Sequence, residues 1–127
     1  MVKNELDELQ SSHNLARHIA QLSLTKKASD IKILDVRKLT SVTDFFVICS
    51  GESEPQVKAI VDEILEKLRD EKIRPWHKEG IEHLQWVLLD YVDVVVHVFR
   101  KEVREFYGLE SLWGDAPVEE IEEKHEG

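Results

Sequence analysis

The stretch Trp86-Val87-Leu88-Leu89-Asp90-Tyr91-Val92-Asp93-Val94-Val95-Val96-His97-Val98-Phe99 decides the fold class. Its two apolar runs, Trp86 to Asp90 and Val94 to Phe99, are rich in β-branched and aromatic side chains. They flank the tract Asp90-Tyr91-Val92-Asp93, so the pattern predicts an antiparallel hairpin. Alternation along the second run places His97 on the face shared with Val95 and Phe99.

Working outward, Phe45-Phe46-Val47-Ile48-Cys49 is a continuous apolar run of strand length. It is the pattern of a central strand covered on both faces. Ile31 to Arg37 reads as a further strand after the breaker-like Ala28-Ser29-Asp30, and Lys38 to Asp44 as a loop. Two helices stand out. Ser11 to Ala28 carries Leu15, Ile19 and Leu22 at helical spacing with Ala16 and Ala20 beside them. The second helix starts with Ser53-Glu54-Pro55-Gln56, a capping box, and continues with the stripe Val57, Ile60, Val61, Ile64, Leu65 and Leu68. Ile73 to Trp76 reads as a short strand, Glu79-Gly80 as a turn, and Lys101 to Tyr107 as a short helix ended by Gly108, with Val103, Phe106 and Tyr107 pointing one way. The expectation is a single α/β domain: a mixed sheet of about five strands with helices packed on it. Residues 11–114 form the domain, 1–10 an N-terminal extension, and 115–127 an acidic, disordered tail.

Composition fits one domain. The chain has 127 residues, 42% of them hydrophobic, enough for a core without metal or disulfide support. Its net charge is −9, from 17 basic and 26 acidic residues. That balance speaks against gripping a phosphate backbone unaided and for a basic protein partner. Asp115, Glu119, Glu120, Glu122, Glu123 and Glu126 concentrate the excess at the end of the chain, where a solvated tail is the ordinary reading. The first residues carry acid where a signal or transit peptide carries base, and no stretch approaches the ~18 apolar residues that span a bilayer. A soluble, cytoplasmic protein is expected, with Cys49 as a buried, inert thiol.

Several residues invite a chemical reading, each with a plainer one beside it. Ser50-Gly51-Glu52-Ser53, between a strand and a helix start, could cradle phosphate, but it has one glycine, no lysine and repelling acids, so it reads as a strand-to-helix turn. Asp35, Asp44, Asp90 and Asp93 could gather magnesium for nucleotidyl transfer, yet Asp90 and Asp93 sit where turns favour aspartate. His77, His83 and His97 lack the local spacing of a zinc site. His97 reads as a core histidine satisfied by one hydrogen bond. Trp86, Tyr91, Phe106, Tyr107 and Trp113 each fit a core position when taken singly. A tyrosine at a hairpin tip, however, has little core to enter, and Trp, Tyr and Arg are the types that anchor interfaces, so an exposed Tyr91 is a candidate binding anchor.

Three stretches, Thr43 to Gly51, the hairpin Trp86 to Phe99, and Val103 to Trp113, together resemble the ribosomal silencing factor family, also called Iojap-like proteins. The similarity runs from about Leu15 to Gly114. It implies a mixed-sheet domain distantly similar in fold to nucleotidyltransferases, without a working active site, cofactor or metal. It also implies binding to the fourteenth protein of the large ribosomal subunit, which blocks docking of the small subunit and lowers translation when nutrients are scarce. By position, the contact surface implied centres on Trp86, Tyr91 and Tyr107, with Asp90, Asp93 and His97 as polar neighbours. The family often has glycine where this chain has Val92, and a β-branched residue resists positive φ. The competing expectations are a magnesium-dependent nucleotidyltransferase using Asp35, Asp90 or Asp93, and a homodimer of the free protein.

Overall fold

The computed structural model describes residues 5–122, with side chains from Ser11 onward. Met1 to Asn4, and residues 123–127 with Glu123 and Glu126 of the expected tail, lie outside the described residues. The elements are α1 (Glu5–Thr25), β1 (Ser29–Asp35), β2 (Phe45–Gly51), α2 (Glu54–Asp70), β3 (His77–Glu79), β4 (Trp86–Asp90), β5 (Val94–Arg100), α3 (Lys101–Tyr107), α4 (Leu109–Leu112) and β6 (Val118–Ile121). The six strands form one sheet in the order β3-β4-β5-β2-β1-β6. β2 and β5 pair parallel; the other neighbours are antiparallel. β2, buried along its whole length, lies inside the sheet as its unbroken apolar run requires.

One sheet face is covered by α1, through Ala16, Ile19 and Ala20, and by α2, through Val57, Ile60, Val61, Ile64 and Leu68. These close over Ile33, Val47, Cys49, Leu89, Val96 and Val98. The opposite face gathers Leu34, Val36, Phe46, Ile48, Val95 and Phe99 under Leu109 of α4 and Ala116. α2 begins on the expected Ser53 cap: Ser53 Oγ accepts from Gln56 N–H at 3.2 Å, while the returning Gln56 Oε1 accepts at 2.6 Å from the N–H of Glu52, one residue ahead of the cap, instead of from the cap's own N–H. α1 ends at Thr25 rather than Ala28, because Lys27 turns left-handed at φ 62° and Ser23 O accepts from Ala28 N–H at 3.2 Å.

Three further expectations are corrected. The short strand forms at His77–Glu79, not Ile73–Trp76, since Pro75 has no N–H to give and pairing starts with Trp76 N–H on Asp90 O, 2.7 Å. The first helix starts at Glu5, inside the expected extension. The segment expected as a solvated tail supplies a sixth strand, β6, paired with β1 from Ile31↔Ile121 to Leu34↔Val118. Its acidity is offset locally: Glu119 takes Arg17 Nε at 2.9 Å and His13 Nε2 at 3.1 Å, both from α1. The Arg17 bond, ahead of the His13 bond, holds the Glu119 carboxyl below its usual range.

The hairpin tip accepts strain. Asp93 N–H donates to Tyr91 O at 2.9 Å around Val92 at φ 73°, the signature of the γ-turn with positive φ. Val92 is 55% exposed, so its side chain gains little packing in return. Val92→Gly should therefore raise the unfolding free energy by about 1 kcal/mol, the strain relieved less the entropy glycine adds to the unfolded chain. Urea titration at neutral pH measures it; a loss of stability would mean that Val92 packing outweighs the strain.

Candidate functional site

The opposite face carries a run of rings that its short covering helices leave partly open. Trp86, first in β4, lies across from Phe99 in the β4–β5 register and stacks on it with centroids 4.9 Å apart. Tyr107, last in α3, packs on the other flank of Trp86 at 4.9 Å, and Phe106 meets Tyr107 edge-on at 5.2 Å. Phe106 is 83% exposed and Tyr107 53%. Behind them Phe46 meets His97 and Trp113 edge-on, each at 5.0 Å. The site thus grades from a buried aromatic base to two exposed rings, the arrangement in which a contact surface is held rigid before a partner arrives.

Two local devices fix this face. Gly80, at φ 80°, lets the loop pass under Trp86: a Cβ there would lie 2.0 Å from the Trp86 carbonyl oxygen. Arg104, on α3, ties the short helices to the sheet. Its Nη1 donates to Asp30 O at 2.7 Å and Ser50 Oγ at 2.8 Å, and its Nε to Glu110 at 2.7 Å. Lys32 Nζ reaches the same Glu110 at 3.0 Å. With Gly108 left-handed at φ 58° between α3 and α4, this network sets the direction in which Phe106 and Tyr107 project. Nothing in the residue pattern marked Arg104 beyond its charge.

His97 shares the face with Val95 and Phe99, as alternation requires, and is 4% exposed. Trp86 Nε1–H donates to its Nδ1 at 3.0 Å, so the neutral ring carries its proton on Nε2. That second nitrogen has no partner among the described residues. Burial pushes His97 down to about 4. Its part is to orient the indole, which neither pattern nor spacing disclosed.

Tyr91 departs from expectation. The tight tip turns its ring under the sheet, into the helix-covered core with Val94 and Leu89, and leaves 7% of it exposed. Burial pushes its hydroxyl up to about 12. Asp90 and Asp93 take turn roles: Asp90 Oδ1 accepts from Val92 N–H at 2.8 Å, while Asp93 O accepts from Asp44 N–H at 3.0 Å. Asp93 is exposed beside the tip. Phe106, which fitted a core position, is instead the most exposed ring of the face. Conversely, Cys49 is fully buried, and burial pushes its thiol up to about 12.

The remaining candidates do not converge. Asp35 is clasped by Arg37 through Nε at 2.8 Å and Nη2 at 2.6 Å, bonds that hold its carboxyl below the usual range. His77 pairs with Glu79 at 3.0 Å. Among the described residues no group of three or more His, Cys, Asp or Glu side chains is placed to hold a metal. In the Ser50 to Ser53 turn, the capping bonds already use the N–H groups of Glu52 and Gln56, and Gly51 is pressed on Val57, 3.1 Å from where a Cβ would lie. Among the described residues no helix is long and apolar enough to cross a membrane.

Comparison with known proteins agrees with the resemblance. Residues 9–127 match the family described as "Ribosomal silencing factor during starvation". The ribosomal silencing factor of Bacillus subtilis is 45% identical over 97 residues, covering 76% of this chain and 82% of its own. The chloroplastic Iojap protein of Arabidopsis thaliana is 36% identical over 112 residues, 88% of this chain and 47% of that longer one. A crystal structure of a Chromobacterium violaceum protein superposes with a TM-score of 0.74 at 38% identity, covering 84% of this chain and 86% of that one. With this identity spread over most of the chain and the same fold beneath it, the protein belongs to the ribosomal silencing factor family.

Proposed function

We propose that the protein represses translation by binding the large ribosomal subunit through its fourteenth protein, so that the small subunit cannot dock. The observation that carries this reading is the preformed aromatic face of a family member. Trp86 is braced by Phe99 and His97, and Phe106 and Tyr107 extend from it into solvent. Aromatic anchors with a rigid backing supply most of the affinity at protein interfaces. Asp93 at the hairpin tip and Glu105 on α3 add acid that suits a basic partner, and Asp90 supports the tip through its bond to Val92. Tyr91 serves the surface from within by anchoring the tip in the core. Steric obstruction requires occupancy alone, which matches a site built of rings rather than converging catalytic groups. On this reading the protein shares the compartment of the ribosomes it binds, here taken as the cytoplasm.

Co-sedimentation of the purified chain with isolated large subunits, before and after adding small subunits, tests the reading. Retention on large subunits together with a fall in the joined-ribosome peak is expected. Absence from the large-subunit fraction, or retention with normal joining, overturns it.

A further inference from the structure

A second feature lies on the other side of the molecule, where α2 ends and the chain runs into β3. There a cleft of about 360 Å³ is lined by Leu65, Glu66, Arg69, Ile73, Arg74, Pro75 and Lys78. The charge of this cleft is out of character. In a chain of net charge −9, Arg17, Arg37, Arg100 and Arg104 each pair with a carboxylate. Arg69 and Arg74, the remaining arginines, have no ion pair or side-chain hydrogen bond among the described residues, and neither has Lys78. Three such cations therefore meet over an apolar wall of Leu65, Ile73 and Pro75, with Glu66 as the one acid among the described residues of the lining.

Part of this has a structural reason. Lys67 and Arg69 occupy the last turn of α2, where cations complement the helix dipole. Arg74 and Lys78 lie beyond the helix and owe nothing to that effect. The last carbonyls of α2 are also occupied: Leu68 O accepts from Ile73 N–H at 2.8 Å and Arg69 O from Lys72 N–H at 2.9 Å. What remains is a local excess of positive charge facing a concave, half-apolar surface near the lower end of the usual size range of ligand sites.

We propose that this cleft binds a small organic phosphate of nucleotide size, its phosphates on Arg69, Arg74 and Lys78 and its planar or apolar body against Leu65, Ile73 and Pro75. Arginine forks and a lysine ammonium together match the oxygens of a phosphate chain. A small ligand is favoured over RNA by range. At physiological salt a charge is felt over ~8 Å, so a nucleotide in the cleft meets the local cations. A polyanion lying along the surface meets the acid-rich remainder of the chain as well. The site is separate from the aromatic face, so its occupancy and ribosome binding are independent measurements.

The test is isothermal titration of the full chain with ATP, without magnesium, and competition by inorganic pyrophosphate. Saturable binding at one site is expected. Arg74→Ala and Lys78→Ala should each weaken it roughly tenfold, the factor that loss of one charge-assisted hydrogen bond brings. Lys26→Ala, which removes an exposed cation outside the cleft, should leave it unchanged. All three positions are exposed, and unchanged thermal unfolding will confirm that the variants fold. No saturation at millimolar ATP overturns the proposal, as does equal weakening by Lys26→Ala. Tighter binding of a short oligoribonucleotide than of ATP, lost in the same cleft variants, would also overturn it in favour of an RNA contact.

Discussion

Replacing Phe106 and Tyr107 together by alanine should weaken retention on large ribosomal subunits by roughly a hundredfold or more, with little change in the thermal unfolding temperature. Anchors that become buried at the centre of an interface typically cost ~2 kcal/mol or more each on truncation. The two rings touch, so their losses will not simply add. The folded chain on its own gives up little, because Phe106 is 83% exposed and Tyr107 53%. The separation between lost binding and retained stability is the informative readout. A sedimentation titration of the double variant beside Glu122→Ala, whose exposed carboxylate lies away from the rings, measures it. Equal retention of the two variants would remove this face from the proposed contact.

Acid should destabilise the fold through His97 before it reaches the carboxylates. Its folded value is pushed by burial from 6.5 to about 4, so the unfolded chain takes up this proton first as pH falls. Stability from this group is complete above about pH 6.5 and is lost progressively towards pH 4, where the folded ring finally titrates. Between pH 7 and 4.5 the loss should reach roughly 2 to 3 kcal/mol. Asp35 and Glu119, whose carboxyls are lowered, run in the acid direction too, but their contributions start to fail only near their ordinary values of 3.8 and 4.5. Urea titrations at pH 7 and pH 4.5 on the wild-type chain and on His97→Gln isolate the histidine's share. A glutamine side chain cannot take up the proton, so the variant should be less stable at pH 7 yet nearly flat across the window. An equal fall in both proteins would assign the acid lability elsewhere.

What the chain disclosed of its own structure follows from how local each interaction is. α2 was legible from its cap to its apolar stripe because Ser53, Gln56 and the buried row lie within a few turns of one another. The β4–β5 hairpin was legible because its two strands adjoin in sequence, and β2 because a strand enclosed on both sides needs only apolar residues. β6 was hidden because its justification is remote: Val118 and Ile121 pair with β1, and Glu119 is ion-paired with Arg17 and hydrogen-bonded to His13, both on α1. Composition alone reads such a segment as solvated. Tyr91 was misjudged for a related reason. A hairpin tip usually projects, but the γ-turn at Val92 is tight enough to fold the ring back beneath the helices. Of the candidate site, Trp86 and Tyr107 stood out as aromatics in the right elements. The bond from Trp86 to His97 and the Arg104 network depend on which strands become neighbours, and no spacing carries that.

The pairing of β6 on β1 bears on how the molecule avoids its own kind. Were the chain cut after Gly114, the outer row of amides and carbonyls on β1 would lie bare beside Ile31 and Ile33, a ready template for a strand from another copy. Truncates of that length should clump or exchange strands on standing. The intact chain fills the berth itself and then shows newcomers a fringe of glutamates, Glu120 and Glu122 among them, that repels an identical fringe. A stretch that looks dispensable by composition thus acts as the sheet's selvedge, keeping the fabric from unravelling into its neighbour.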